Sequence, residues 1–183
     1  MPTSRCPTRP RRRQSSRPLV RPEGEGGTEA QAKEICLRLL ADRARSRGEL
    51  ADRLRRREFA PDVVDRVLDR LTEVGLIDDA DFAREWVRSR HTYSGKGKRA
   101  LAVELRRKGI GPDDAAQALD LIDREDERAR AGELVDRKLR SVSLDDREKA
   151  TRRLVGMLAR RGFPPGMCYE VVKERIGEID PPR

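Results

Sequence analysis

The chain repeats itself, and that limits its fold more than any other feature. Leu50, Leu54, Phe59 and Pro61 recur 51 residues later as Leu101, Leu105, Ile110 and Pro112. They recur after a further 53 as Leu154, Leu158, Phe163 and Pro165. A period near 50 residues makes each copy a small supersecondary unit with limited core of its own, which stacking would complete. Inside each copy the apolar residues keep helical spacing. Ala32, Ile35, Cys36, Leu39 and Leu40 form one stripe; Val63, Val64, Val67, Leu68 and Leu71 form another. Phe82, Ala83, Trp86 and Val87 form a third, and Cys168, Val171, Val172 and Ile176 a fourth. No run alternates with period two for the length of a strand.

Start and stop signals agree with these stripes. Pro61, Pro112 and Pro165 each stand where a helix begins, a position whose missing N–H costs nothing. Thr28-x-x-Gln31 and Ser46-x-x-Glu49 read as capping boxes, and Ser143-x-x-Asp146 as a weaker relative. Helices are predicted over 29–43, 47–57 and 61–74, then 79–91, 97–108 and 112–123, then 125–141, 144–161 and 165–177. The predicted fold is all-α: three tandem three-helix repeats (28–77, 78–123 and 124–178) stacked into an elongated, curved body. Leu54, Leu68, Phe82, Trp86, Leu105, Leu119, Leu154 and Leu158 are assigned to its core. Gly109 and Gly162 fall where the second helix must stop in a left-handed residue. The first copy has Glu58 there, so its turn is expected to differ.

The net charge of +9 is concentrated at one end. Residues 1–22 hold seven arginines, five prolines and no acid, and removing those seven from 42 leaves 35 basic against 33 acidic residues. Residues 1–27 are therefore expected to be a disordered Arg/Pro-rich tail that cannot bury a core. Within the repeats, charge follows the helices. The second helix of each copy nets +5, counted over 43–57, 96–108 and 149–161. The third helices are acidic. If the repeats stack in like orientation, the basic helices form one stripe suited to a polyanionic or acidic polymer.

Other chemistry finds little support. Three cysteines lack metal-ligand or redox spacing, so no metal or cofactor is expected. The one histidine, His91, is placed at a helix end, where local carbonyls favour it. Ser94-Gly95-Lys96-Gly97-Lys98 lacks the full phosphate-loop pattern and reads as a flexible basic connector. Acid pairs Asp78–Asp79 and Asp113–Asp114 stand at helix starts, where capping and the helix dipole account for them. Groove reading by a third, recognition helix is disfavoured because that helix carries the acids. Stacking on single strands would need more aromatics than Trp86, Tyr93 and Tyr169. No run of ~18 apolar residues exists to span a membrane.

Three segments carry a family resemblance: SRGELADRLRRREF (46–59), VGLIDDADFAREWVRSR (74–90) and GKRALAVELRRKGI (97–110). Through these the chain resembles the RecX family of bacterial recombination regulators, over about residues 30–177. The cysteine usage points to a reducing, cytoplasmic protein, a monomer is expected, and the resemblance implies a non-enzymatic modulator of the recombinase RecA. It would bind RecA and the RecA–DNA filament along the groove, limiting filament extension and reducing strand exchange, ATPase and coprotease activities. Direct DNA binding is also implied for some members. The basic residues then expected to contact the filament are Arg53, Arg56, Lys98, Arg99, Arg106, Lys108, Arg152, Arg153 and Arg160. The competing role for each is pairing with the acidic third helices. The alternatives are a helical-repeat protein that binds DNA without a recombinase, and a generic helical scaffold.

Overall fold

The computed structural model describes residues 27–179. The expected tail lies, except for Gly27, outside the described residues. Nine helices and no strand occur among them: α1 (Glu29–Asp42), α2 (Arg47–Arg55), α3 (Pro61–Glu73), α4 (Asp79–Ser94), α5 (Lys98–Arg107), α6 (Pro112–Asp120), α7 (Arg124–Leu139), α8 (Arg147–Arg160) and α9 (Pro165–Ile179).

The three prolines open α3, α6 and α9. Thr28 forms a full capping box with Gln31. Ser46 caps α2 by accepting the Glu49 N–H, but the Glu49 carboxylate turns away to Arg43 and Lys108, so this box is half made. Ser143 does not cap. Its hydroxyl is engaged with Asp145, and α8 starts later than expected, with Asp146 as its cap. Helix α4 runs three residues past its expected end and stops at Gly95, in the left-handed region at φ 58°.

Within each repeat the third helix packs against the first two, and each repeat closes a separate apolar cluster. The first gathers Cys36, Leu50, Leu54, Val64, Leu68 and Leu71. The second gathers Phe82, Val87, Leu101, Leu105 and Ile110, and the third Val135, Leu154, Leu158, Phe163 and Val172. Trp86 and Leu119, expected in the core, are half-buried at its edge. Stacking adds to these cores at the junctions, where Ser46, Gly95, Gly97 and Glu127 are buried. Each buried leucine contributes about 2 kcal/mol, and the repeats meet through close backbone packing, hydrogen bonds of about 1 kcal/mol each and the Lys108–Glu49 ion pair.

Glu58 also departs from expectation. It takes the left-handed conformation at φ 62°, as Gly109 (φ 76°) and Gly162 (φ 89°) do. All three second helices end in the same turn. The glycines are pressed from outside: a Cβ on Gly109 would stand 2.8 Å from Gly48 Cα, and one on Gly162 would collide with Ala100. Glu58 is exposed among the described residues, so a side chain fits there at only the dihedral cost.

Candidate functional site

The two repeat junctions follow one plan. At the first, Ser46 Oγ donates to Lys108 O at 2.6 Å, and Gly48 lies against Gly109, where α5 ends. At the second, Gly97 N–H donates to Arg161 O at 2.9 Å, and Arg99 N–H to Gly162 O at 3.2 Å, where α8 ends. The N-terminus of each second helix therefore meets the C-terminus of the next one. Helices α8, α5 and α2 thus follow one another head to tail as a ridge, the C-terminal end of one against the N-terminal end of the next.

These contacts remove the expected flexibility of the 94–98 connector. Gly95 and Gly97 are buried, His91 Nδ1–H donates to Lys96 O at 2.8 Å, and the Arg161 guanidinium donates to Ser94 O at 2.7 Å. A carbonyl can only accept, so Nδ1 is the donor in this contact.

The ridge sorts the nine basic candidates. Arg53, Arg56, Arg99, Arg106, Arg153 and Arg160 are exposed and form no ion pair among the described residues. Arg53 and Arg56 share the wall of a 320 Å³ depression with Leu39, Arg45, Glu49 and Asp52. Arg152 pairs with Glu148 one turn away, both largely exposed, a contact of little energetic weight. Lys98 is half-buried; its backbone N–H goes to Glu127, and its ammonium has no ion pair among the described residues. None of the nine pairs with a third helix; the second-helix residue that does so is Arg47, with Asp65 and Asp69 of α3.

Lys108 is consumed internally. Its ammonium lies 2.7 Å from Glu49 Oε1 and 3.8 Å from the centroid of the Trp86 ring. Burial raises the Glu49 carboxyl, but hydrogen bonds from Lys108 and Arg43 outweigh it and hold the group below the usual carboxylate range. Beneath the same ring, Arg90 makes a two-pronged contact with Glu104, which also accepts the Trp86 Nε1–H at 3.0 Å. The Arg90 guanidinium is the main reason Glu104 also sits below that range.

The repeat offset exposes a residue that sequence reasoning passed over. Steps of 51 and 53 carry Arg56 onto Arg107 and then Arg160. Arg107 is exposed and forms no ion pair among the described residues, like its two equivalents. The signal was the register set by the leucine and proline anchors. One step further, Arg57, Lys108 and Arg161 are equivalent, and the latter two serve the junctions.

Three-helix units joined head to tail, with an unpaired arginine at the equivalent position of each, define a helical-repeat protein. Comparison with known proteins gives the family. The descriptions "RecX, first three-helix domain", "RecX, second three-helix domain" and "RecX, third three-helix domain" match residues 32–71, 78–119 and 125–172. The chain is 55% identical to Regulatory protein RecX of Mycolicibacterium smegmatis over 178 residues, covering 92% of this chain and 95% of that one. It is 60% identical to Regulatory protein RecX of Mycobacteroides abscessus over 147 residues, 80% of this chain and 72% of that one. The crystal structure of RecX from Lactobacillus salivarius superposes with a TM-score of 0.71 at 24% identity, covering 83% of this chain and 96% of that one. The chain belongs to the RecX family of regulatory proteins.

Proposed function

We propose that this protein is a non-enzymatic, cytoplasmic, monomeric modulator of the recombinase RecA, acting as an inhibitor. It binds RecA and the RecA–DNA filament along the groove, limits extension, and so reduces strand exchange, ATPase and coprotease activities. The observation that carries this reading is the α8–α5–α2 ridge with its periodic unpaired arginines. A regularly spaced cationic edge suits a regularly spaced acidic or phosphate-bearing polymer better than a small ligand. The proposed contacts are Arg53, Arg56, Lys98, Arg99, Arg106, Arg107, Arg152, Arg153 and Arg160, with Lys108 supporting the ridge from inside.

The test is the single-stranded-DNA-dependent ATPase of the cognate recombinase, titrated with the full chain. Inhibition well below one copy per recombinase protomer is expected, and should disappear in the double variant Arg99→Glu, Arg106→Glu at unchanged helix content. Unchanged inhibition by that variant would remove the ridge from the mechanism. Binding to bare DNA with no effect on the ATPase would favour the DNA-binding alternative.

A further inference from the structure

We propose that Asp79 and Glu127 are positioning residues that set the angle between successive repeats, and with it the interval at which the ridge presents Arg56, Arg107 and Arg160. At the first junction, the N–H of Arg47, which opens α2, donates to Asp79 Oδ1 at 2.7 Å. At the second, the N–H of Lys98, which opens α5, donates to Glu127 Oε1 at 2.8 Å. Arg47 and Lys98 are equivalent under the 51-residue offset. Their acceptors are not: one is an aspartate that opens α4, the other a glutamate in the fourth position of α7. Two side chains of different length, from different helical positions, reach equivalent donors.

At Glu127 burial separates this role from a local one; Asp79 is half-buried. An acid in the first turn that only served its own helix dipole could remain in water. Glu127 is 4% exposed, and it and Ser46 are the two buried polar residues among those described; both lie at junctions. Sequestering a carboxylate is costly unless a specific donor compensates, and the donor it reaches belongs to the preceding repeat.

The geometry gives each carboxylate a mechanical task. Contacts between consecutive second helices make a line about which two repeats could turn: Ser46 with Lys108, and Gly97 with Arg161. The carboxylate arrives from a different helix and ties the opening N–H of the second helix to the first helix of the next repeat. At the second junction α4 and α7 stand apart over a 470 Å³ cleft lined by Val87, His91, Leu121 and Ala129, among others. The Arg130 side chain, reaching Thr92 O, bridges α7 to α4 across it. With a separate core in each repeat, turning at a junction need not unfold either unit.

The angular claim is independent of the partner; the consequence for binding rests on the proposed ridge function. The experiment measures distances between spin labels in the full chain with Cys6 replaced by Ser, with label pairs at Lys33→Cys and Ala116→Cys, and at Ala116→Cys and Lys173→Cys. Asp79→Ala should broaden the first distribution alone and Glu127→Ala the second alone, with helix content unchanged. Asp79→Asn and Glu127→Gln keep an acceptor oxygen and should restore narrow distributions. Distributions that stay narrow in both alanine variants overturn the proposal. So does equal broadening in the amide variants, or broadening accompanied by loss of helix. Loosened variants should bind the RecA filament about tenfold more weakly, because the repeats no longer engage it in register. Broadened distances with unchanged binding would leave the positioning role intact and reject the ridge as the contact surface.

Discussion

The Lys108 ammonium stands 2.7 Å from Glu49 Oε1, joining the end of α5 to the start of α2 across a repeat boundary. Both side chains are mostly buried, and the same ammonium lies over Trp86. Lys108→Met keeps the aliphatic stem but leaves Glu49 with Arg43 alone. Destabilisation of about 1–3 kcal/mol is expected in urea denaturation, with altered emission from Trp86, the sole tryptophan. A variant of unchanged stability that bound the filament poorly would instead return Lys108 to the contact surface.

Glu58 and Gly109 share a backbone conformation but not an environment. Glu58→Gly should stabilise the protein by about 1 kcal/mol, since left-handed backbone costs a non-glycine residue roughly that much. Gly109→Ala incurs the same dihedral cost and also collides with Gly48 Cα. Its destabilisation should exceed the Glu58→Gly gain in size, and paired denaturation curves would show both signs.

Glu104 gives a pH signature. Its folded pKa is depressed, chiefly by Arg90, against the opposing effect of burial. Its contribution to stability is therefore complete above the ordinary glutamate value of about 4.3 and disappears as pH falls through the lower folded value. The stability difference between the protein and Glu104→Gln should stay constant from about pH 7 to pH 5 and shrink below that. Asp79 has the opposite sign, because burial raises it more than the Arg47 N–H lowers it. The subtraction against Glu104→Gln isolates the first effect from the second.

Cys36 and Cys168 report on different repeats. Both are buried; burial pushes the Cys36 thiol up to about 11 and also raises Cys168. In a Cys6→Ser chain, neither should react with iodoacetamide under native conditions near pH 8, because both access and thiolate are lacking. In rising urea each should become reactive as its own cluster opens. Distinct midpoints are expected from separate cores, and coincident ones would show that the junctions couple the repeats strongly.

Arg56, Arg107 and Arg160 support no ion pair among the described residues, so replacing all three by Gln should leave stability within about 0.5 kcal/mol. Filament affinity should fall further than in any single variant. If the groups they meet are single-strand phosphates, the slope of log affinity against log salt should decrease by about 0.7 for each arginine replaced.

The chain by itself determined the helices, their order and the repeat. Apolar spacing, prolines at helix starts and capping side chains act over three or four residues, so they can be read without a partner. The same register contained Arg107, since equivalence by offset needs no coordinates. Only the tertiary structure decided which charges are spent. Ser46 and Lys108 are 62 residues apart, and Lys98 and Glu127 are 29 apart. Asp79 read locally as a helix-start acid, yet its acceptor oxygen serves α2 of the preceding repeat. Glu58 read as a misfit because its dihedral cost is local, whereas its tolerance comes from its exposure. A side chain's local preference is written in its neighbours along the chain; its partner is fixed by which surfaces the packed helices bring within hydrogen-bond reach.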